Sequence, residues 1–113
     1  MTNLLAAFLF AVVQVEGNPR SPYGLTKGAI SDVNKAHGTR WTWEDRKNAR
    51  KARIILVGYV VMHYPKDKPF DPCTAGRIVR YGPSGATMHA RDDREQYGQR
   101  VANLTEARMR GDA

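Results

Sequence analysis

One carboxylate in this chain stands where acid chemistry would be at home. It is Glu16, in the stretch Gln14-Val15-Glu16-Gly17-Asn18. Before it runs Leu4-Leu5-Ala6-Ala7-Phe8-Leu9-Phe10-Ala11-Val12-Val13, with no charge and no breaker, and after it comes a Gly/Pro/Ser loop. A carboxyl at the edge of an apolar core loses hydration, which disfavours its ionised form and keeps an acid protonated for work near neutral pH. The plainer reading has Glu16 ending a helix at the surface, and position alone leaves both open. The other acids that could share the chemistry have structural duties at hand. Asp32 or Asn34, on either side of Val33, can anchor a neighbouring loop, and Glu44-Asp45 after Thr42 has the form of an N-cap followed by first-turn acids. His37, His63 and His89 each lack a partner at metal-ligand spacing, so no metal or other cofactor is expected. The lone Cys73 excludes an internal disulfide and reads as a small buried thiol.

The elements that must position these groups read as helices. The first run is apolar on nearly every side, which predicts a buried helix. Residues 17–27 form a loop by composition, stiffened by Pro19 and Pro22, with Gly24 permitting a turn or a close approach. A short helix is expected over 26–36, with Ile30 and Val33 inward and Gly38 as its stop. The second apolar block, 54–64, is rich in β-branched residues and would suit a strand, but its length favours a helix from about 48 to 64 ended by Pro65. Ala52, Ile55, Leu56, Tyr59 and Met62 then share a face, Arg50, Lys51 and Arg53 lie nearer solvent, and Gly58 lets another helix pack close. Asp71-Pro72 starts a helix that runs through Arg80. Residues 81–85 predict a tight turn, and a last helix spans about 90–109 with Tyr97, Val101, Leu104 and Arg108 aligned. Without a clear hairpin, the whole is a mainly α single domain, 1–113, with a central long helix.

Composition bounds the partners. Eighteen Lys and Arg against eleven Asp and Glu leave a net charge of +7, which suits a polyanion: nucleic acid, an acidic membrane surface or a cell-wall polymer. Six cations fall within 40–53 around Trp41 and Trp43. They read as the solvated face of a helix, broken by Glu44 and Asp45, in preference to a nucleic-acid stripe. The first apolar run is too short to span a bilayer comfortably. It makes a poor signal peptide, with no Lys or Arg before it and no small-residue cleavage site. Synthesis in the cytoplasm is expected. A monomer is expected.

In order, the chain shows an apolar helix, Val-Glu-Gly-Asn, Tyr-Gly-Leu, Asp-Val-Asn, Trp-Thr-Trp-Glu-Asp-Arg, a long helix ending in His-Tyr, Gly-Pro-Ser-Gly and a late Tyr. This ordered set, covering nearly the whole chain, resembles the small transglycosylase-like members of the lysozyme superfamily found in phages and bacteria. The resemblance implies a compact lysozyme-like helical domain that cuts the β-1,4-linked glycan of peptidoglycan. It matches the family's catalytic Glu to Glu16. It places Tyr23, Gly24 and Lys27 in one cleft segment, Arg80 and Tyr81 in another, and Tyr97 as the late cleft tyrosine. On spacing alone Tyr97 serves equally as core. Three positions depart from the family's pattern: Gly17 stands where Ser is usual, Lys27 where Gln is usual and Arg80 where Asn is usual. Lys27 or Arg80 would then engage a substrate carboxylate. With one convincing acid, a lytic transglycosylase is expected ahead of a hydrolase. A non-catalytic glycan-binding protein on the same fold, and more remotely a small nucleic-acid-binding protein, remain the alternatives.

Overall fold

The computed structural model describes residues 3–111. Among these residues the chain is mainly helical with no strand. Helix α1 spans Leu4–Glu16, α2 Lys27–His37, α3 Ala49–His63, α4 Pro72–Tyr81 and α5 Tyr97–Met109. Their starts follow from side-chain caps that satisfy otherwise orphaned N–H groups. Asn3 accepts from Ala6 N at 2.7 Å, Thr26 from Ala29 N at 3.1 Å, Asn48 from Lys51 N at 3.0 Å and Asp71 from Cys73 N at 3.2 Å. Gly17 and Gly38 terminate α1 and α2.

The longest helix, α3, buries Ala52, Ile55, Leu56 and Tyr59 as its spacing predicts, while Met62 is half-buried and Arg50, Lys51 and Arg53 are exposed. At Gly58 a β-carbon would meet Val33 and His37 of α2 at 3.6 Å, so α2 does pack close there. The packing nevertheless centres on α5, which lies against both α1 and α4, whereas α3 packs on α2 and α4. Close approach of α4 and α5 depends on a missing side chain: a β-carbon on Gly98 would stand 2.6 Å from the Cys73 carbonyl. Phe8, Val12, Ile55, Leu56, Ile78 and Val101 are fully buried. Each large apolar side chain so buried contributes about 1.5–3 kcal/mol. The Cα radius of gyration, 13.3 Å, is near the roughly 13 Å of a compact 100-residue domain.

Three local expectations are corrected. First, α1 is not surrounded. Ala7, Phe8, Ala11 and Val12 are buried, but Leu4 and Leu5 are 37% and 45% exposed. Five short helices supply a cover for one side of α1, from α5, and leave its side toward α3 open. Second, the segment after α4 is a 3₁₀ helix, Gly82–Thr87, and not a single tight turn. It folds back onto α4 so tightly that a β-carbon at Gly85 would collide with the Arg77 carbonyl. Third, the last helix does not run from 90. Two 3₁₀ turns, Ala90–Asp92 and Arg94–Gln96, precede α5, and Glu95 and Gln96 take positive φ values of 59° and 53°. The cause is Asp93, whose carboxylate accepts from the N–H groups of Tyr97 and Gly98 and so starts α5 afresh. Of the two loop-anchor candidates, Asp32 and Asn34, it is Asn34 that holds the connector before α3. Its Oδ1 accepts from Trp41 N at 2.9 Å and from the Thr39 hydroxyl at 2.8 Å, and its Nδ2 donates to the Trp41 carbonyl at 2.9 Å.

Candidate active site

Glu16, the last residue of α1, meets α5 across 81 residues of sequence: the Tyr97 hydroxyl donates to Glu16 Oε2 at 2.7 Å. Tyr97 is 4% exposed. Burial, then the hydrogen bond to Glu16 and its charge, push the Tyr97 phenol far above its usual range. It therefore stays a donor at any pH where a protein of this kind works. Among the described residues no cation closes an ion pair on Glu16.

The other side of the carboxyl is set by Gly24. A β-carbon there would stand 2.7 Å from Glu16 Cδ and closer still to Oε1. Gly24 also holds φ +65°, which side chains with a β-carbon rarely adopt. Glu16 is thus fixed between a phenol and a bare backbone. Gly17, at φ +62°, stops α1 immediately behind it with nothing packed on it.

Gly24 belongs to one wall of a cavity of about 270 Å³. Tyr23, Gly24 and Leu25 form that wall, Leu56 and Tyr59 of α3 come from beneath, and Arg80, Tyr81 and Gly82 form the facing wall. At Gly82 a β-carbon would come within 2.8 Å of the Tyr59 hydroxyl, so the facing wall also depends on an absent side chain. Arg80 is exposed on the rim. The Tyr23 hydroxyl accepts from Arg53 Nε at 3.2 Å.

Asp93 holds the far side of this arrangement. It is 1% exposed and takes four donors: Arg77 Nε at 3.2 Å, the Tyr81 hydroxyl at 2.9 Å, Tyr97 N at 3.0 Å and Gly98 N at 2.8 Å. Burial alone would raise the Asp93 carboxyl, but the Gly98 N–H, the Tyr81 hydroxyl, Arg77 and the Tyr97 N–H outweigh it and hold the group below the usual carboxylate range. One buried anion therefore fixes Tyr81 in the groove wall and the start of the helix that carries Tyr97.

Of the residues singled out from the sequence, Glu16, Gly24 and Tyr97 are brought into contact, and Tyr23, Gly24, Arg80 and Tyr81 line the cavity. Lys27 does not. Its ammonium lies 5.5 Å from the Trp43 ring centroid, in a shallow depression with Trp41 and Trp43. As the first residue of α2 it points away from the loop that forms the wall, and the aromatic face attracts it. The other face-on contact with Trp43 is Arg46, at 3.7 Å, so Trp43 is occupied by the protein's own cations. Glu44 and Asp45 are committed to Lys47 at 2.8 Å and to Thr42 N at 2.8 Å. Sequence reasoning missed Asp93 and Tyr59. Asp93 hides in the charged stretch Arg91-Asp92-Asp93-Arg94-Glu95, which reads as solvated helix. Its only signal was the Tyr-Gly pair four and five residues on.

Among the described residues no group of three or more His, Cys, Asp and Glu could hold a metal ion, and no helix is long and apolar enough to cross a membrane. No protein-family model, curated protein or solved structure matches the chain.

Proposed function

We propose that the protein cleaves peptidoglycan glycan strands as a lytic transglycosylase, with Glu16 as both acid and base on a lysozyme-like fold. The observation that carries this reading is the pairing of Glu16 with Tyr97 beside a groove walled by two bare glycines. Tyr23, Gly24, Arg80 and Tyr81 line that groove and Glu16 and Tyr97 adjoin it, whereas Lys27 does not.

Protonated Glu16 donates to the glycosidic oxygen as the bond to C1 breaks. The oxocarbenium-like centre is captured by the sugar's own 6-hydroxyl, whose proton returns to Glu16. A 1,6-anhydro end forms, and the acid is regenerated without water. One carboxyl suffices: Glu16 is not itself in the cavity lining but sits against Gly24, which is, and no second carboxylate among the described residues lines the cavity. Tyr97 orients Glu16, and Gly24 leaves room for the Glu16 carboxyl at the edge of the groove. Tyr23 and Tyr81 offer ring surface to the glycan, and Arg80 on the rim pairs with a lactyl or peptide carboxylate. The partner is the glycan strand, the enzyme is monomeric, and it reaches the wall through lysis or virion delivery.

A hydrolase is the second reading. It would need a second carboxylate to handle water, and Asp32, a candidate from the sequence, is not among the residues lining the cavity. Purified glycan strands incubated with wild type and Glu16→Gln, followed by mass spectrometry of the ends, separate the cases. An anhydro end is lighter by one water than a hydrolysed end. Equal product from both proteins, or none from either, counts against catalysis at Glu16.

A further inference from the structure

A second and larger cavity, about 510 Å³, lies on the open side of α1, remote in composition from the Glu16 groove. Leu5 of α1 and Val57 and Val61 of α3 wall it, and Phe70 closes one end. Val61 is 65% exposed and Leu5 45%, so apolar side chains on both walls stand open to solvent. The loop that bounds it is built firmly. Phe70 stacks on Tyr64 at 5.8 Å and meets Phe8 edge-on at 5.5 Å, and the Tyr64 hydroxyl donates to the Pro69 carbonyl and accepts from Asp71 N.

The charges at this cavity are of one sign. Lys66 and Lys68 line it and no acid does; Asp67, between them in sequence, is outside it. The walls leave little for a peptide's backbone groups to bind, because the Tyr64 hydroxyl is already spent. A second copy of the chain would bring another pair of lysines, and another +7, against the first. An alkyl chain needs no hydrogen bonds, and an anionic head satisfies the lysines. We propose that this groove takes an acyl chain of an anionic phospholipid, with the phosphate at Lys66 and Lys68, so that the protein docks peripherally on an acidic membrane surface. This does not depend on the catalytic reading.

Co-sedimentation of the full chain with phosphatidylglycerol vesicles and with phosphatidylcholine vesicles, at physiological salt, tests it. Binding is expected to phosphatidylglycerol and not to phosphatidylcholine. Val61→Asp, on an exposed side chain, and the pair Lys66→Glu with Lys68→Glu should each weaken it about tenfold or more. Arg50→Glu with Lys51→Glu makes the same change in net charge on exposed positions outside the groove and should retain most of the binding. Leu5→Asp repeats the Val61 test from the opposite wall. Equal loss in both charge pairs with none in Val61→Asp would mean attraction by net charge alone and overturns the proposal. So does a lipid-free dimer, seen by sedimentation velocity, that Val61→Asp abolishes. Glu16→Gln should bind vesicles as wild type does.

Discussion

The two ends of α1 meet opposite conditions. At its C-terminus Glu16 is held by Tyr97 and Gly24, and behind them a buried Asp93 with four donors fixes both the groove wall and the start of α5. At its N-terminus Leu5 faces Val61 across a cavity that nothing among the described residues fills. In the first region directional contacts between distant segments leave a single arrangement. In the second, apolar surface is displayed on firm walls without a partner. The difference separates a site built for atomic placement from a surface built for adhesion.

The sharpest break in the comparison is Glu16→Gln. Cleavage of glycan strands should fall by roughly 10²–10⁴-fold, with thermal stability little changed; activity within threefold of wild type would remove the acid from the site. Asp93→Ala comes next. It strands Arg77 and two backbone donors in the interior and should cost about 3–5 kcal/mol in denaturant unfolding. Because Asp93 titrates below its unfolded value, its contribution is fully present above about pH 4 and is lost as pH falls through the lowered folded value. The acid limb of the stability curve should therefore flatten in Asp93→Asn. Gly24→Ala should cost about 1–3 kcal/mol through its positive φ and its collision with Glu16, and should depress activity beyond that loss of folded protein. Tyr97→Phe should cost about 1.5 kcal/mol and lower kcat more than it raises KM, as expected when an acid loses its orientation. Smallest is Val61→Ser: on so exposed a residue unfolding should shift by no more than about 0.5 kcal/mol. A large loss there would make the open groove part of the core.

Much of this was legible beforehand, for local reasons. Asn48 and Asp71 act over one turn of helix, so their types and positions announce helix starts without reference to the rest of the chain. Ile55, Leu56 and Tyr59 fall inward because helical spacing alone puts them on one face. Glu16 stood out because it is the first ionisable group after a greasy run. Asp93 did not, because a carboxylate in a charged stretch looks solvated until α4 is laid against it. Lys27 was misplaced because sequence order puts it in the cleft segment, while the turn into α2 rotates it toward Trp43.

The sequence by itself determined the helices, most of their ends, the inward faces and the identity of one well-placed acid, since caps and periodicity act within a few residues. Only the tertiary structure decided that Tyr97 would reach Glu16, that Asp93 would be buried among four donors, and that one flank of α1 would stay bare. Those outcomes depend on which helices lie side by side, and that follows from how a limited set of apolar faces is shared across the whole chain.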